Sequence, residues 1–231
     1  MDKIANLEAD QRRELFQETA ARKGIHPAVV EKDFWVCWVL KHIFEDPGMR
    51  SHVIFKGGTS LSKVFGLIER FSEDIDLILD WSLLGYGPSQ QDPFPDDLSN
   101  TKRDQFNKQF NEAAAAYIRE TLCPQLAVLL GICPEVRLSI DDHEGQVVEI
   151  HYPAAFAQTY LRPEVRLEIG ALASWVPHDE YSIRPYAADA FPKIFAEPDC
   201  PGIAIKAERP FWENATIPHQ QAHNPRALPS R

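Results

Sequence analysis

The chain has no hydrophobic run long enough to cross a bilayer. Its best stretch, Phe34 to Leu40, falls far short of the ~18 apolar residues that mark a spanning helix. Met1-Asp2-Lys3-Ile4 also lacks the basic-then-apolar pattern of a secretory signal, so no membrane association and a cytoplasmic location are expected. Positive charge is scarce as well. Lys and Arg number 24 against 34 Asp and Glu, a net charge of −10, the opposite of a nucleic-acid coat protein or a membrane-surface binder. An enzyme that holds a nucleic-acid end in a local basic patch is still compatible with that balance. The four cysteines, Cys37, Cys123, Cys133 and Cys200, show no C-x-x-C spacing, which favours buried free thiols over zinc or a disulfide framework. No internal repeat is visible.

What is present is a globular chain, with 44% hydrophobic and 25% charged residues, a balance that argues against wholesale disorder. Helical spacing runs from Asp10 to Lys23, stopped by Gly24, and again from Pro27 to about Glu45, ended by Asp46-Pro47-Gly48. A strand over His52–Lys56 closes on Gly57-Gly58, and Thr59 is expected to cap a helix reaching about Glu69. Asp74–Leu79 reads as a strand with Asp74 and Asp76 on one face and Ile75 on the other. Residues 85–100 form a proline-rich loop, followed by helices over 101–121 and 124–130. Val136–Ile140, Gln146–Tyr152 and Val165–Ile169 read as strands. Proline breaks 176–210 into short extended pieces before a last helix over Arg209–His223.

Strands and helices intermix without strict alternation, which predicts an α+β (mixed α/β) fold with a mixed sheet and flanking helices. The expected divisions are an N-terminal helical segment, 1–50, packing on the core; a core over 51–175, with an inserted loop and helix near 85–130; and a shortened, partly helical C-terminal segment, 176–231.

The chemistry concentrates in Lys56-Gly57-Gly58-Thr59-Ser60 and, one helix later, Asp74-Ile75-Asp76. Paired glycines let backbone N–H groups approach an anion, and a helix N-terminus with the Thr59 and Ser60 hydroxyls adds donors for phosphate oxygens. Gly58 is the glycine expected to take a positive φ, where a Cβ would collide with a phosphate. Asp74 and Asp76 project side by side and can bridge divalent metal; Mg²⁺ (or Mn²⁺) suits a few carboxylates plus substrate phosphates. Glu168, in Val165-Arg166-Leu167-Glu168-Ile169, is the best third carboxylate for a two-metal site, because a charge inside an apolar strand needs a partner. A plainer reading makes it a structural partner of Arg166 or Arg137. Lys56 reads equally as a phosphate ligand or a solvent-facing edge residue. Lys32 and Asp33 read as a surface pair on a helix whose other face is apolar, the alternative being a role in closing over the nucleotide.

The run FKGGTSLSKVFGLIERFSEDIDL resembles the glycine-turn and paired-aspartate motif of polymerase-β-like minimal nucleotidyltransferases. More narrowly it is similar to the AbiEii/AbiGii-type nucleotidyltransferase toxins of toxin–antitoxin and abortive-infection systems. Val30–Val36, Val165–Glu168 and Glu208-Arg209-Pro210-Phe211-Trp212-Glu213 extend the likeness along nearly the whole chain. The resemblance implies a nucleotidyltransferase-like sheet and transfer of a nucleoside monophosphate from an NTP to an acceptor, a tRNA 3′ end in characterised relatives. It also implies a cognate antitoxin, protein or RNA. Asp74, Asp76 and Glu168 would be catalytic and metal-binding, and Lys56, Gly57, Gly58, Thr59, Ser60 and Lys63 nucleotide-binding.

Two departures from the family pattern bear on activity. Asn214 stands where a phosphate-contacting lysine is expected, and family members continue past Arg231 into a further helix carrying another functional aspartate. Both predict weakened transfer, with Lys56 or Lys63 partly replacing the lysine. The alternatives are a catalytically silent relative that binds a nucleotide or an antitoxin, and a nucleotidyltransferase acting on a small molecule.

Overall fold

The computed structural model describes residues 1–67, 74–87, 99–156, 161–170 and 178–206. Helices α1 (Asp2–Ala5), α2 (Ala9–Lys23), α3 (Pro27–Glu45) and α4 (Pro47–Arg50) come first. Strand β1 (Val53–Lys56) leads into α5 (Gly57–Lys63), and β2 (Asp74–Leu79) follows. Helix α6 (Asn100–Tyr117) continues through a π-helical turn, Ile118–Leu122, into α7 (Cys123–Leu130). Then come β3 (Arg137–Ile140), β4 (Val147–His151), β5 (Glu164–Gly170), β6 (His178–Ile183), α8 (Tyr186–Ala190) and β7 (Cys200–Ile205).

Among the described residues the strands form one seven-stranded sheet in the order β3-β4-β5-β2-β1-β7-β6. The pairs β2–β5 and β1–β7 are parallel and the others antiparallel. The molecule therefore has the mixed α+β architecture that the intermixed pattern predicts.

Local chemistry sets the helix limits. Gly24 ends α2 at φ 67, a left-handed cap that costs glycine nothing. Pro27 occupies the first turn of α3, where its missing N–H is harmless. Helix α3 is buried nearly all round, with Phe34, Trp38, Leu40 and Phe44 fully enclosed, and it packs on α2, β7 and α8. A helix so enclosed must pair its polar groups. The Trp38 indole N–H donates to Asp2 Oδ1 at 2.8 Å, and Glu31 accepts the backbone N–H groups of Ala155 and Phe156 at 2.7 and 3.2 Å. Burial still outweighs those bonds and pushes the Glu31 carboxyl up to about 7. Lys32 and Asp33, expected on the surface, are also buried; Asp33 is covered by Lys63 of α5 and the start of α8 at Tyr186, which the pattern of α3 alone does not reveal.

Alternation along the strands separates two sheet faces. Val53, Phe55, Ile75, Leu77, Leu79, Val165, Leu167 and Ile169 point into the main core with α3. Lys56, Asp74, Asp76, Arg166 and Glu168 point the other way, beside a small satellite of Ile54, Ile78 and Ile205.

The helix after the glycine turn is shorter than expected. It starts at Gly57, with Thr59 inside its first turn rather than capping it, and ends at Lys63. Gly66 then takes φ 60, and its N–H bonds the Ser62 carbonyl, so a left-handed glycine closes the helix before residue 69 can join. The expected helix over Arg209–His223, Asn214 within it, and most of the 85–100 loop lie outside the described residues.

Candidate active site

Strand β2 carries the acidic pair as the alternation predicts, with Asp74 and Asp76 half-buried on one face and Ile75 fully buried on the other. Register then joins side chains remote in sequence. Asp76 lies level with Glu168 on parallel β5 and with Lys56 on antiparallel β1, while Asp74 lies level with Arg166. Neighbouring strands run ~4.8 Å apart, so Lys56, Asp76 and Glu168 form one row across three strands.

The row is electrostatically crowded. Burial, then the negative charge of Asp74, raise the Glu168 pKa, and Arg166 and Lys56 offset this only in part. Arg166 is engaged elsewhere: it donates to Glu149 at 2.9 Å and lies 3.4 Å from Asp141 and 3.9 Å from Glu144. Arg137 donates to the Pro134 and Val136 carbonyls. Neither arginine pairs with Glu168 among the described residues.

The glycine turn touches this row directly. Gly57 takes φ +78, and a Cβ there would sit 1.7 Å from Asp76 Oδ2. Both the backbone angle and the carboxylate require glycine at 57. The positive φ expected at Gly58 thus belongs to its neighbour; Gly58 is not among the positive-φ glycines and forms the second residue of α5. The Thr59 hydroxyl donates to the Asp74 carbonyl, and the Ser60 hydroxyl donates to the Gly57 carbonyl at 2.8 Å. Both side chains are buried, so they tie the turn to β2, and the groups the turn offers outward are the first-turn N–H groups.

The two lysines part company. Lys56 lines a cleft of about 850 Å³ together with Asp76, Glu168, Ile169 and Gly170. Lys63 points away from that cleft, with its side chain 6% exposed, and pairs with the buried Asp33. The facing wall is α6, which presents Asp104, Asn107, Lys108, Asn111 and Glu112. Their helical spacing is legible in the sequence; that this polar stripe looks across at Asp76 is not. Phe106, Phe110 and Ala114, on the opposite stripe of α6, are buried.

A second group of potential ligands, Glu149, His151 and Glu164, lies farther along the same face and also escaped sequence reading. Arg166 holds Glu149, Arg162 lies 3.5 Å from Glu164, and His151 sits between the two carboxylates with its Nε2 2.8 Å from the Ser139 hydroxyl. These contacts account for the group as an ion-pair network.

Asp74, Asp76 and Glu168 offer hard oxygen donors of the kind magnesium and manganese take, with Asp76 and Glu168 lining the cleft and Asp74 beside Asp76 on the same face of β2.

No curated protein matches the chain. No helix among the described residues is long and apolar enough to cross a membrane. The family model described as nucleotidyl transferase AbiEii toxin, type IV toxin–antitoxin system, matches residues 38–226, a span that includes the glycine turn, the acidic pair and Glu168. The chain belongs to the AbiEii nucleotidyltransferase toxin family.

Proposed function

We propose that this protein is a magnesium-dependent toxin that transfers a nucleoside monophosphate from an NTP to the 3′ end of a tRNA in the cytoplasm, and that a cognate antitoxin, protein or RNA, restrains it. The observation that carries the reading is the row of Lys56, Asp76 and Glu168 beside Asp74, on the floor of an open cleft and against the Gly57 turn. Asp74 and Asp76 would hold the metal, with Glu168 as the third carboxylate. Bound magnesium supplies charge neutralisation along the triphosphate and acidifies the acceptor hydroxyl.

The remaining work belongs to the chain's own groups. Lys56 and the N–H groups of Gly57 and Gly58 receive phosphate oxygens, and Thr59 and Ser60 keep the turn in shape. Glu168, level with Asp76 and at the cleft, takes the proton of the attacking hydroxyl. Of Lys56 and Lys63, Lys56 is the one at the cleft and able to stand in for a lysine at position 214; Lys63 is committed to Asp33. Positioning and preorganised charge of this kind supply most of the barrier reduction in phosphoryl transfer.

Asn214 favours a second reading, a silent relative that keeps nucleotide or antitoxin binding without transfer. Incubation of the full chain with labelled NTPs, magnesium and total tRNA separates the two. Label on tRNA that Asp76→Asn abolishes supports transfer. Nucleotide binding without label on tRNA supports the silent relative, and label on a small molecule alone makes that molecule the acceptor.

A further inference from the structure

We propose that Asp33 is a positioning residue: through its buried ion pair with Lys63 it holds the glycine turn against the acidic pair. The proposal deepens the reading above and rests on it.

Asp33 lies in the middle of α3 and is wholly buried, and Lys63 is the last residue of α5. The Lys63 ammonium pairs with Asp33 Oδ1, donates to the Arg184 carbonyl at 3.2 Å and sits 3.8 Å from the centre of the Tyr186 ring. The other carboxylate oxygen of Asp33 accepts the Tyr186 backbone N–H at 2.7 Å. One buried pair therefore joins α3, α5 and the start of α8.

Helix α5 has seven residues, about 10 Å of helix, too short to hold its own place. It is tethered at both ends. At its start Thr59 bonds the Asp74 carbonyl, and at its finish Lys63 is locked to Asp33. Between these tethers the helix moves as a unit, so a shift at Lys63 is passed to Gly57. There is little room for one, because Gly57 packs so closely on Asp76 that even a methyl group would overlap its carboxylate.

Stability alone does not explain the pair. Burying two charges costs so much desolvation that apolar side chains of similar volume are often as stable or more so. An apolar contact can slide, however, whereas an ion pair, a hydrogen bond and an aromatic ring around one ammonium resist displacement of the end of α5.

The test reads Mn²⁺ affinity without nucleotide by electron paramagnetic resonance, so that no direct phosphate contact by Lys63 enters. The double variant Asp33→Leu/Lys63→Met removes both buried charges together, at the cost of the Tyr186 N–H acceptor, and the folded protein should bind Mn²⁺ at least ~10-fold more weakly, a cost of about 1.4 kcal/mol in the site. Wild-type Mn²⁺ affinity in that folded variant would overturn the proposal and leave the pair a purely structural one. If the double variant does not fold, Asp33→Asn decides. It keeps the side chain's shape and an acceptor for Tyr186 but loses the charge facing Lys63, and weakened Mn²⁺ binding by the folded protein is expected; unchanged binding overturns the proposal. Asp76→Asn separates the two levels. If it abolishes Mn²⁺ binding while the folded Asp33 variants keep the wild-type affinity, only the positioning role fails. If Asp76→Asn leaves Mn²⁺ binding intact, or the wild type binds none, the metal-site reading fails and the positioning role with it.

Discussion

The two faces of the central sheet are made by the same strands and obey opposite rules. On one, Leu77, Leu79, Leu167 and Ile169 pack with α3 in a continuous core. On the other, Asp74, Asp76, Glu168 and Arg166 crowd like and unlike charges beside a cleft. The first face is built for burial. The second keeps Glu168 partly buried and near enough to Asp74 for both to raise its pKa, the kind of charge crowding that collects at functional sites.

Substitutions on the two faces should therefore fail in different ways. Asp76→Asn is expected to cut nucleotide transfer by ~10³-fold or more, on the order of 4 kcal/mol of barrier, with little change in melting temperature; tRNA labelling and calorimetry on one sample check both. Leu167→Ala, one residue from Glu168 but on the core side, should cost about 2–5 kcal/mol in urea unfolding and leave the Mn²⁺ affinity of the folded protein unchanged. A large loss of affinity there would mean that the faces are not independent.

The glycines sharpen the comparison at the site's edge. Gly24 and Gly57 both take a positive φ, but a Cβ at Gly24 meets nothing within 4 Å and one at Gly57 meets Asp76. Gly24→Ala should cost ~1–2 kcal/mol and spare the site. Gly57→Ala should cost more and also weaken Mn²⁺ binding, whereas Gly58→Ala should be the milder change of the adjacent pair.

A pH-dependent effect, absent from the cleft comparison, tests a carboxylate on the core side. Glu31 has its pKa raised to about 7 from 4.5, so the folded chain holds that proton more tightly than the unfolded chain. The stability it contributes is complete below pH ~4.5 and is lost as pH rises through 7, on the order of 1–3 kcal/mol. Urea unfolding between pH 4.5 and 7.5 should show that slope, and Glu31→Gln should flatten it.

Parts of this were legible along the chain. The Asp74–Ile75–Asp76 alternation, the end of α2 at Gly24 and the start of α3 at Pro27 are short-range effects of side-chain direction and backbone angle, and they appear where the pattern puts them. The helix after the glycine turn is shorter than its apolar spacing predicts because Gly66 decides where α5 ends. The polar stripe of α6 was legible as a stripe, but nothing in its own residues says what it faces.

Sequence by itself determined the mixed fold, the face on which each strand residue points and the acidic pair beside a glycine turn, because those follow from periods of 2 and 3.6 residues and from the conformational range of glycine and proline. Tertiary structure alone decided that Glu168 lies level with Asp76, that Gly57 rather than Gly58 meets its carboxylate, and that Lys63 turns away from the cleft to Asp33 while Lys56 stays in it. Those outcomes depend on strand register and on which helix covers which face. Both are set by the burial of surfaces far apart in the chain, about which a local stretch of residues carries no information.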